Sequence, residues 1–460
     1  MLPGEWEKKL IDMNVTNLDD TDIEWADYVF ISAMVVQKDS VKNVIKRCRR
    51  IGTKIVAGGP FFTTGYEESK GVVDHFVLNE AEITLPHFLR DLENGCAKHI
   101  YKSDEWPDIG KVLVPLWELI DMKNYSSMSV QYSRGCPFDC EFCDIVVLNG
   151  HMPRTKDRNQ LLKEFDALYD NGWRDGVFLV DDNFIGNKKK LKKATLPAII
   201  GWMREKAYPF TLFTEASINL SDDEELMRLM TDANFDTVFI GIETPNEDSL
   251  CECGKFQNSG RDMVECVKKL HNCGLQVQGG FIVGFDNDPP SIFEKQISFI
   301  QRSGIVTAMV GLLNAPSGTK LYQRLKSENR LLENFTGDNT DCSMNFIPRM
   351  DYKTLINGYG RILNNIYSPK LYYERVKAFL EEYEPQQKKI FRLKPEHLGA
   401  FVRSLWFLGI KEKGRRYYWR LLAWTLLKRP RRFPLSVTFA IYGFHFRKIV
   451  EGYERALVLE

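Results

Sequence analysis

The chain has 460 residues, 44% of them hydrophobic and 27% charged, with a formal net charge of zero, a composition that allows two or three globular domains and excludes a disordered or fibrous chain. The ten cysteines lie in a chain too long for a disulfide scaffold, and MLPGEWEKKLIDM has no apolar core of a signal peptide, so reduced cytoplasmic thiols are expected. The zero charge hides an asymmetry: from Phe401 to Glu460 there are 13 Lys and Arg against 4 Asp and Glu, a net of +9 balanced by −9 in the rest, which suggests a tail with its own partner, such as an anionic surface.

The first hundred residues alternate short β-branched runs (KKLIDMNV, YVFISAMVV, TKIVAGGPFF, DHFVLNEAE) with helical stretches ending on Gly52 and Gly95. Such alternation predicts a doubly wound parallel sheet over residues 1–96. The first run begins about eight residues in, with no strand–loop–helix ahead of it, so the domain reads as lacking its first strand; a small complete sheet is the alternative. Residues 97–127, with Pro107 and Pro115, read as a linker.

A second series follows over 128–338. The strand signals are MSVQYSRG, DGVFLVDDNF, FTLFTEAS, DTVFIGIE, LQVQGGFIVGF and VTAMVGLLNA, with amphipathic helical stretches between them. Six βα units predict a partial TIM-like (β/α)6 barrel with its chemistry at the C-terminal ends of the strands. From Asn339 the pattern becomes helical and basic to the end of the chain. The apolar runs there are too short and too close to arginines to read as membrane spans.

Directly after the first barrel strand stands SRGCPFDCEFCD, with Cys136, Cys140 and Cys143 at CxxxCxxC spacing. A structural zinc site needs a fourth ligand; His151 is the nearest, but it sits in a loop without a paired partner. A cubane iron–sulfur cluster needs one protein ligand per iron, so three thiolates leave one iron open, and an open metal position is reactive. Cys251 and Cys253 form a CxC without a partner pair and read as ordinary thiols. Elsewhere the strand ends carry Asp181 and Asp182, Glu215 and Glu243, and the acidic pair can equally cap the next helix. Gly279 and Gly280 interrupt the fifth strand, where glycine also marks bulges. NAPSGT after the sixth strand reads most simply as a turn.

The triad, with Phe142 before its last cysteine, resembles the signature of the radical S-adenosylmethionine (SAM) superfamily, and the resemblance extends from Met128 to Leu332. It implies a 4Fe-4S cluster on Cys136, Cys140 and Cys143 that cleaves SAM to a 5'-deoxyadenosyl radical, fed by an electron donor such as flavodoxin or ferredoxin. It also implies that Asp181 and Asp182 meet the SAM amino group, Glu215 and Glu243 its ribose, Lys255 its carboxylate, and Gly279 and Gly280 the adenine. Lysine at 255 keeps the charge but loses the bidentate fork of the arginine used by a related subgroup.

An open sheet ahead of such a barrel resembles the cobalamin-binding class, and Gly58 and Gly59 of VAGGPFF match its strand-end turn. There is no DxHxxG motif, so no histidine of that kind ligates cobalt. Together with the helical tail, the motifs resemble the hopanoid C-2 methylase group and the archaeal tetraether ring-forming enzymes. That implies methyl transfer to an unactivated carbon of a lipid or other hydrophobic substrate, with one SAM methylating cobalamin and another generating the radical. The alternatives are a radical SAM oxidoreductase or cyclase without methyl transfer, and a zinc-stabilised interaction protein. In KEKGRRYYWRLLAWTLLKRPRRF, aromatics among cations suit either a peripheral membrane anchor or a helical cap packed on the barrel. No nucleic-acid reading module accompanies the basic stretch.

Overall fold

The structure, a computed structural model, describes residues 1–332, 336–338, 342–385 and 395–457, with side chains up to residue 452. It divides into two compact units: Met1–Asp175 with Asn314–Asp338, and Gly176–Leu313 with Asn339–Glu460.

The first unit opens with four parallel strands in the order β1 (Tyr28–Ser32), β2 (Lys54–Gly58), β3 (His75–Val77) and β4 (Ile100–Tyr101). Both faces are covered, as a doubly wound sheet requires. The helix Lys38–Ile51 buries Val41, Val44, Ile45 and Cys48 against Ile55, Ala57 and Phe76. Ala81–Glu93 buries Leu85, Phe88 and Leu89 against Val56, Val77 and Tyr101 on the other face. The first of these helices stops at Gly52, whose φ of +94° lets two consecutive N–H groups cap the Cys48 carbonyl.

Two sequence expectations change here. The run Lys8–Val15 is not a strand: it pairs with no strand among the described residues, and Asp12 leads it into a turn, accepting from the Tyr125 hydroxyl at 2.9 Å. Its β-branched composition has no ladder to join, and strand propensity without a neighbour does not make a strand. Conversely, the supposed linker contributes β4, because Ile100 and Tyr101 find β3 beside them. Beyond β5 (Ser127–Val130), the short strands β6 (Ser133–Arg134) and β7 (Arg154–Thr155) pair antiparallel around the cysteine loop.

In the second unit β8 (Gly176–Leu179), β9 (Thr211–Glu215), β10 (Phe235–Glu243), β11 (Gln276–Val283) and β12 (Ala308–Leu312) run parallel, each beside its predecessor. Alternation along the strands sends Val177, Leu179, Leu212, Val238, Ile240 and Val277 into a fully buried layer. The opposite face carries Phe178, Phe213, Phe239 and Gly280, all part-exposed. The C-terminal helices are fastened to this sheet by hydroxyls: Tyr359 donates to the Val310 carbonyl at 3.2 Å and Tyr367 to that of Ala308 at 2.7 Å. Arg375 is fully buried, donating to Gln301 Oε1 at 3.2 Å and lying 5.3 Å from the Tyr372 ring centroid. Among the described residues no helix is long and apolar enough to cross a membrane.

Candidate active site

The cysteine loop starts at Gly135, where φ is +93° and a Cβ would stand 2.8 Å from the Met152 carbonyl oxygen and 3.0 Å from that of Gly150. Glycine is therefore needed to turn the chain off β6. Cys136 N–H then donates to the Gly150 carbonyl at 3.2 Å, and Cys143 N–H to the Cys140 carbonyl at 3.1 Å. The three thiols and Phe142 are all half-buried.

Ion pairs hold this loop on two sides. The acidic residues between the cysteines meet the helix Lys320–Ser327: Lys320 pairs with Asp139, and Arg324 grips Glu141 with Nε at 2.6 Å and Nη2 at 3.0 Å. The Glu141 carbonyl also accepts from Leu321 N–H at 2.9 Å. At its base Arg134, two residues before Cys136, donates to Glu80 at 2.6 Å and Glu82 at 2.7 Å. Arg154 adds a bidentate grip on Glu80, at 2.6 and 3.0 Å. Burial raises the Glu82 pKa, but the Arg134 guanidinium outweighs it and leaves the carboxyl below its usual range. The sequence reading missed Lys320, Arg324, Glu80 and Arg154; the charges inside FDCEFCD were the only signal that partners existed.

The donor set fits a polynuclear cluster. His151 is exposed, with its Nε2 3.8 Å from Asp139 Oδ1. Thiolates spread along one braced loop can each serve a separate iron, whereas tetrahedral zinc needs four ligands on one point.

The second unit gathers most of the predicted strand-end residues. Asp181 is 1% exposed and Asp182 part-exposed after β8. Their neighbour Asn183 ties this end to the next, donating to Ser217 Oγ at 3.2 Å and accepting from Ser217 N–H at 3.3 Å. Glu243 stands at φ +62° beside a break in strand register, a strained conformation of the kind concentrated at functional sites. Lys255 Nζ meets its carboxylate at 2.7 Å. A Cβ on Gly241 would strike that carboxylate and come within 2.8 Å of Nζ, so the bare backbone there makes room for the pair. Two buried amides missed by sequence brace the same turn. Asn258 donates to the Gly241 and Ile242 carbonyls at 3.0 Å, and Gln296 to those of Ile282 at 2.7 Å and Glu243 at 3.3 Å. The two glycines of β11 part company: Gly279 meets Phe281 and Ile305 in the core, while Gly280 faces Phe239 on the open face.

Glu215 is the perturbed acid of the group. Burial first, and the charge of Asp182 second, push its pKa up to about 7, against a weaker pull from Lys255. Because the folded value exceeds the unfolded 4.5, the native state holds this proton more tightly. Its stabilising effect is complete below 4.5 and is lost as pH rises through 7. The loss amounts to about 3 kcal/mol at about 1.4 kcal/mol per unit. Urea unfolding of the apo chain across that range should show Glu215→Gln equal to wild type in acid and up to about 3 kcal/mol more stable above neutrality. Parallel pH profiles for the two proteins would refute this.

At the C-terminal end of the N-terminal sheet, a Cβ on Gly58 would stand 2.5 Å from the Val77 carbonyl oxygen, and one on Gly59, at φ +82°, 2.6 Å from Ser32 Oγ. Met34 and Val36 beside this turn are more than half exposed. His75 and His99 bond the Lys98 and Asp74 carbonyls at the opposite strand ends. The packing of the strand ends thus requires glycine at both positions, and His75 and His99 are engaged away from this turn.

The sequence profile of the radical SAM superfamily matches residues 130–300, and that of a domain of unknown function (DUF4070) matches 319–457. An uncharacterized methyltransferase of Synechocystis sp. is 41% identical over 451 residues, covering 97% of this chain and 84% of the relative. The hopanoid C-2 methylase of Rhodopseudomonas palustris is 29% identical, covering 93% and 82%. The fold is that of the cobalamin-dependent SAM radical enzyme OxsB with aqua-cobalamin bound, at a TM-score of 0.59 and 14% identity over 95% of this chain and 73% of that one. The radical SAM methyltransferase TsrM of Kitasatospora setae, solved with cobalamin and a 4Fe-4S cluster, gives 0.57 at 14% identity over 67% of each. A braced CxxxCxxC loop, a parallel sheet ending in carboxylates and relatives of this kind together mean that the chain belongs to the radical SAM superfamily, among its methyltransferases.

Proposed function

We propose that this chain methylates an unactivated carbon of a hydrophobic lipid-like substrate. In this reading Cys136, Cys140 and Cys143 hold the 4Fe-4S cluster by three irons and leave the fourth to SAM. The cluster, when bound, supplies the electron that cleaves SAM. Asp181 and Asp182 accept from the SAM ammonium, and Glu215 and Glu243 receive the ribose hydroxyls. Lys255 serves chiefly to position Glu243, since its ammonium is already paired there. Gly280, on the open face, is better placed than Gly279 to let a flat ring approach. Cobalamin, as the methyl carrier, would rest on the Gly58–Gly59 turn beside Met34 and Val36.

The observation that carries the hydrophobic substrate is the open face of the second sheet. There Phe178 and Phe213 stack with centroids 4.9 Å apart and planes 3° from parallel, and Met309 is 52% exposed. An apolar face of that kind suits a hydrocarbon better than a charged metabolite. The name of the hopanoid methylase relative points the same way.

Anaerobic, reductant-driven incubation with methyl-labelled SAM, cobalamin and dispersed membrane lipid tests this. Label should enter the lipid, with 5'-deoxyadenosine and S-adenosylhomocysteine formed in equal amounts. A modified lipid without label would instead make the chain a radical SAM oxidoreductase or cyclase. A chain that keeps one zinc and never cleaves SAM would be no enzyme of this class.

A further inference from the structure

The C-terminal region exposes apolar residues in the stretch noted in the sequence (Trp419, Leu426 and Leu427 at 47, 54 and 82%) and also on the helix before it. The helix Arg415–Lys428 turns Tyr418, Leu421, Leu422 and Thr425 inward. The preceding helix Pro395–Trp406 buries only Ser404, whose hydroxyl meets that of Tyr418 at 2.8 Å. On its outer side and on the segment Phe407–Lys411 that continues it, Leu398, Val402, Trp406 and Ile410 follow one another at intervals of four and are 61, 56, 52 and 53% exposed. Four large apolar side chains in register make an inclined ridge that is more than half exposed among the described residues.

This ridge runs directly into positive charge. Between residues 403 and 420 stand six exposed cations (Arg403, Lys411, Lys413, Arg415, Arg416 and Arg420) against the single acid Glu412. Lys411 Nζ lies 5.3 Å from the ring centroids of both Trp406 and Phe407. Arg415 Nη1 bonds the Ile410 carbonyl at 3.3 Å, joining ridge to cations. Beside them a cavity of about 650 Å³ is lined by Lys370, Lys413, Arg415 and Arg416, with no acid in its wall.

We propose that this ridge and its cations are a docking face for an anionic lipid bilayer, the apolar residues entering the acyl boundary and the cations meeting headgroup phosphates. Charge complementarity selects the partner. A second copy of the chain would bring the same excess of positive charge against itself. A nucleic acid would use the cations but leave Leu398, Val402 and Ile410 without a contact. The inference rests on the reading of a lipid substrate for its purpose, but its test reads binding alone.

The full chain, with its cluster reconstituted, is floated with vesicles of phosphatidylcholine alone or mixed with phosphatidylglycerol. Binding should require phosphatidylglycerol and weaken with salt. Lys413→Gln with Arg416→Gln should lower it by about fivefold for each cation removed, and Val402→Glu with Ile410→Glu should abolish it. All four positions are exposed, so melting curves should stay unchanged, and labelled methyl transfer to detergent-dispersed lipid should persist. Equal binding to both vesicles, variants that bind like wild type, or self-association in solution that the Val402/Ile410 pair dissolves would each overturn the docking face. Failure of methyl transfer with vesicle binding intact would instead overturn the reaction and leave this face standing.

Discussion

Cys140→Ala, reconstituted anaerobically with iron and sulfide, should retain no intact cluster and cleave SAM only at background, while the apo chain unfolds at the wild-type urea concentration. The separation follows from where the thiol sits. Cys140 is half-buried on a loop whose shape is set by other groups: the Gly135 turn, the Glu141–Arg324 pair and the Cys136 N–H bond to Gly150. Removing one sulfur from such a position should cost the apo fold no more than about 0.5 kcal/mol. It leaves one iron of the cluster without a protein ligand, and a site already one ligand short has none to lend. Cys136→Ala and Cys143→Ala should behave alike. His151→Ala separates the cluster from zinc: its imidazole faces Asp139 rather than completing a ligand set, so iron content and SAM cleavage should be unchanged. Loss of metal in that variant would restore the zinc reading.

Local patterns were legible and long-range partners were not. The period-two and helical runs of the second unit returned as β8 to β12 within a few residues, because each strand there has a neighbour on which its pattern can act. Lys8–Val15 carried the same pattern and failed for want of one. The triad was readable from spacing alone, but its braces were not: Asp139 and Lys320 lie 181 positions apart, and Glu141 and Arg324 lie 183 apart. Nothing in either stretch announces the other. Gly279 and Gly280 looked equivalent until strand pleating sent one to the core and one to the open face. In the tail, composition marked residues 411–433 as either an interfacial anchor or a helical cap. Which apolar residues face outward depends on helix-to-helix packing, which leaves Trp419, Leu426 and Leu427 exposed and adds a ridge on the helix before them.

Glu80→Gln should destabilise the chain by about 3 kcal/mol, at the lower end of what breaking a buried ion pair costs. The Glu80 side chain is 7% exposed and accepts from two guanidinium groups that are themselves only 17 and 18% exposed. The substitution keeps the shape and one acceptor oxygen but removes the charge that both arginines face. Arg134 retains Glu82 at 2.7 Å. Arg154 is left with the Asn149 and Pro107 carbonyls and the Trp106 ring, which cannot neutralise a partly desolvated cation. The damage should therefore fall on Arg154, and Arg154→Met in the Glu80→Gln background should recover part of the loss, a coupling that a double-mutant cycle measures. Because Arg134 begins the cysteine loop, the single variant should also release iron faster from the reconstituted protein, and the double variant should slow that release. Acid gives an independent check through Glu82, whose pKa is lowered in the fold. Its contribution is present above the unfolded value of 4.5 and lost as pH falls through the lowered one. Glu82→Gln should accordingly cost stability at neutral pH and nothing in strong acid. If Glu80→Gln unfolds with wild type and holds iron equally well, the tie between the N-terminal sheet and the cysteine loop is not what keeps that loop in shape.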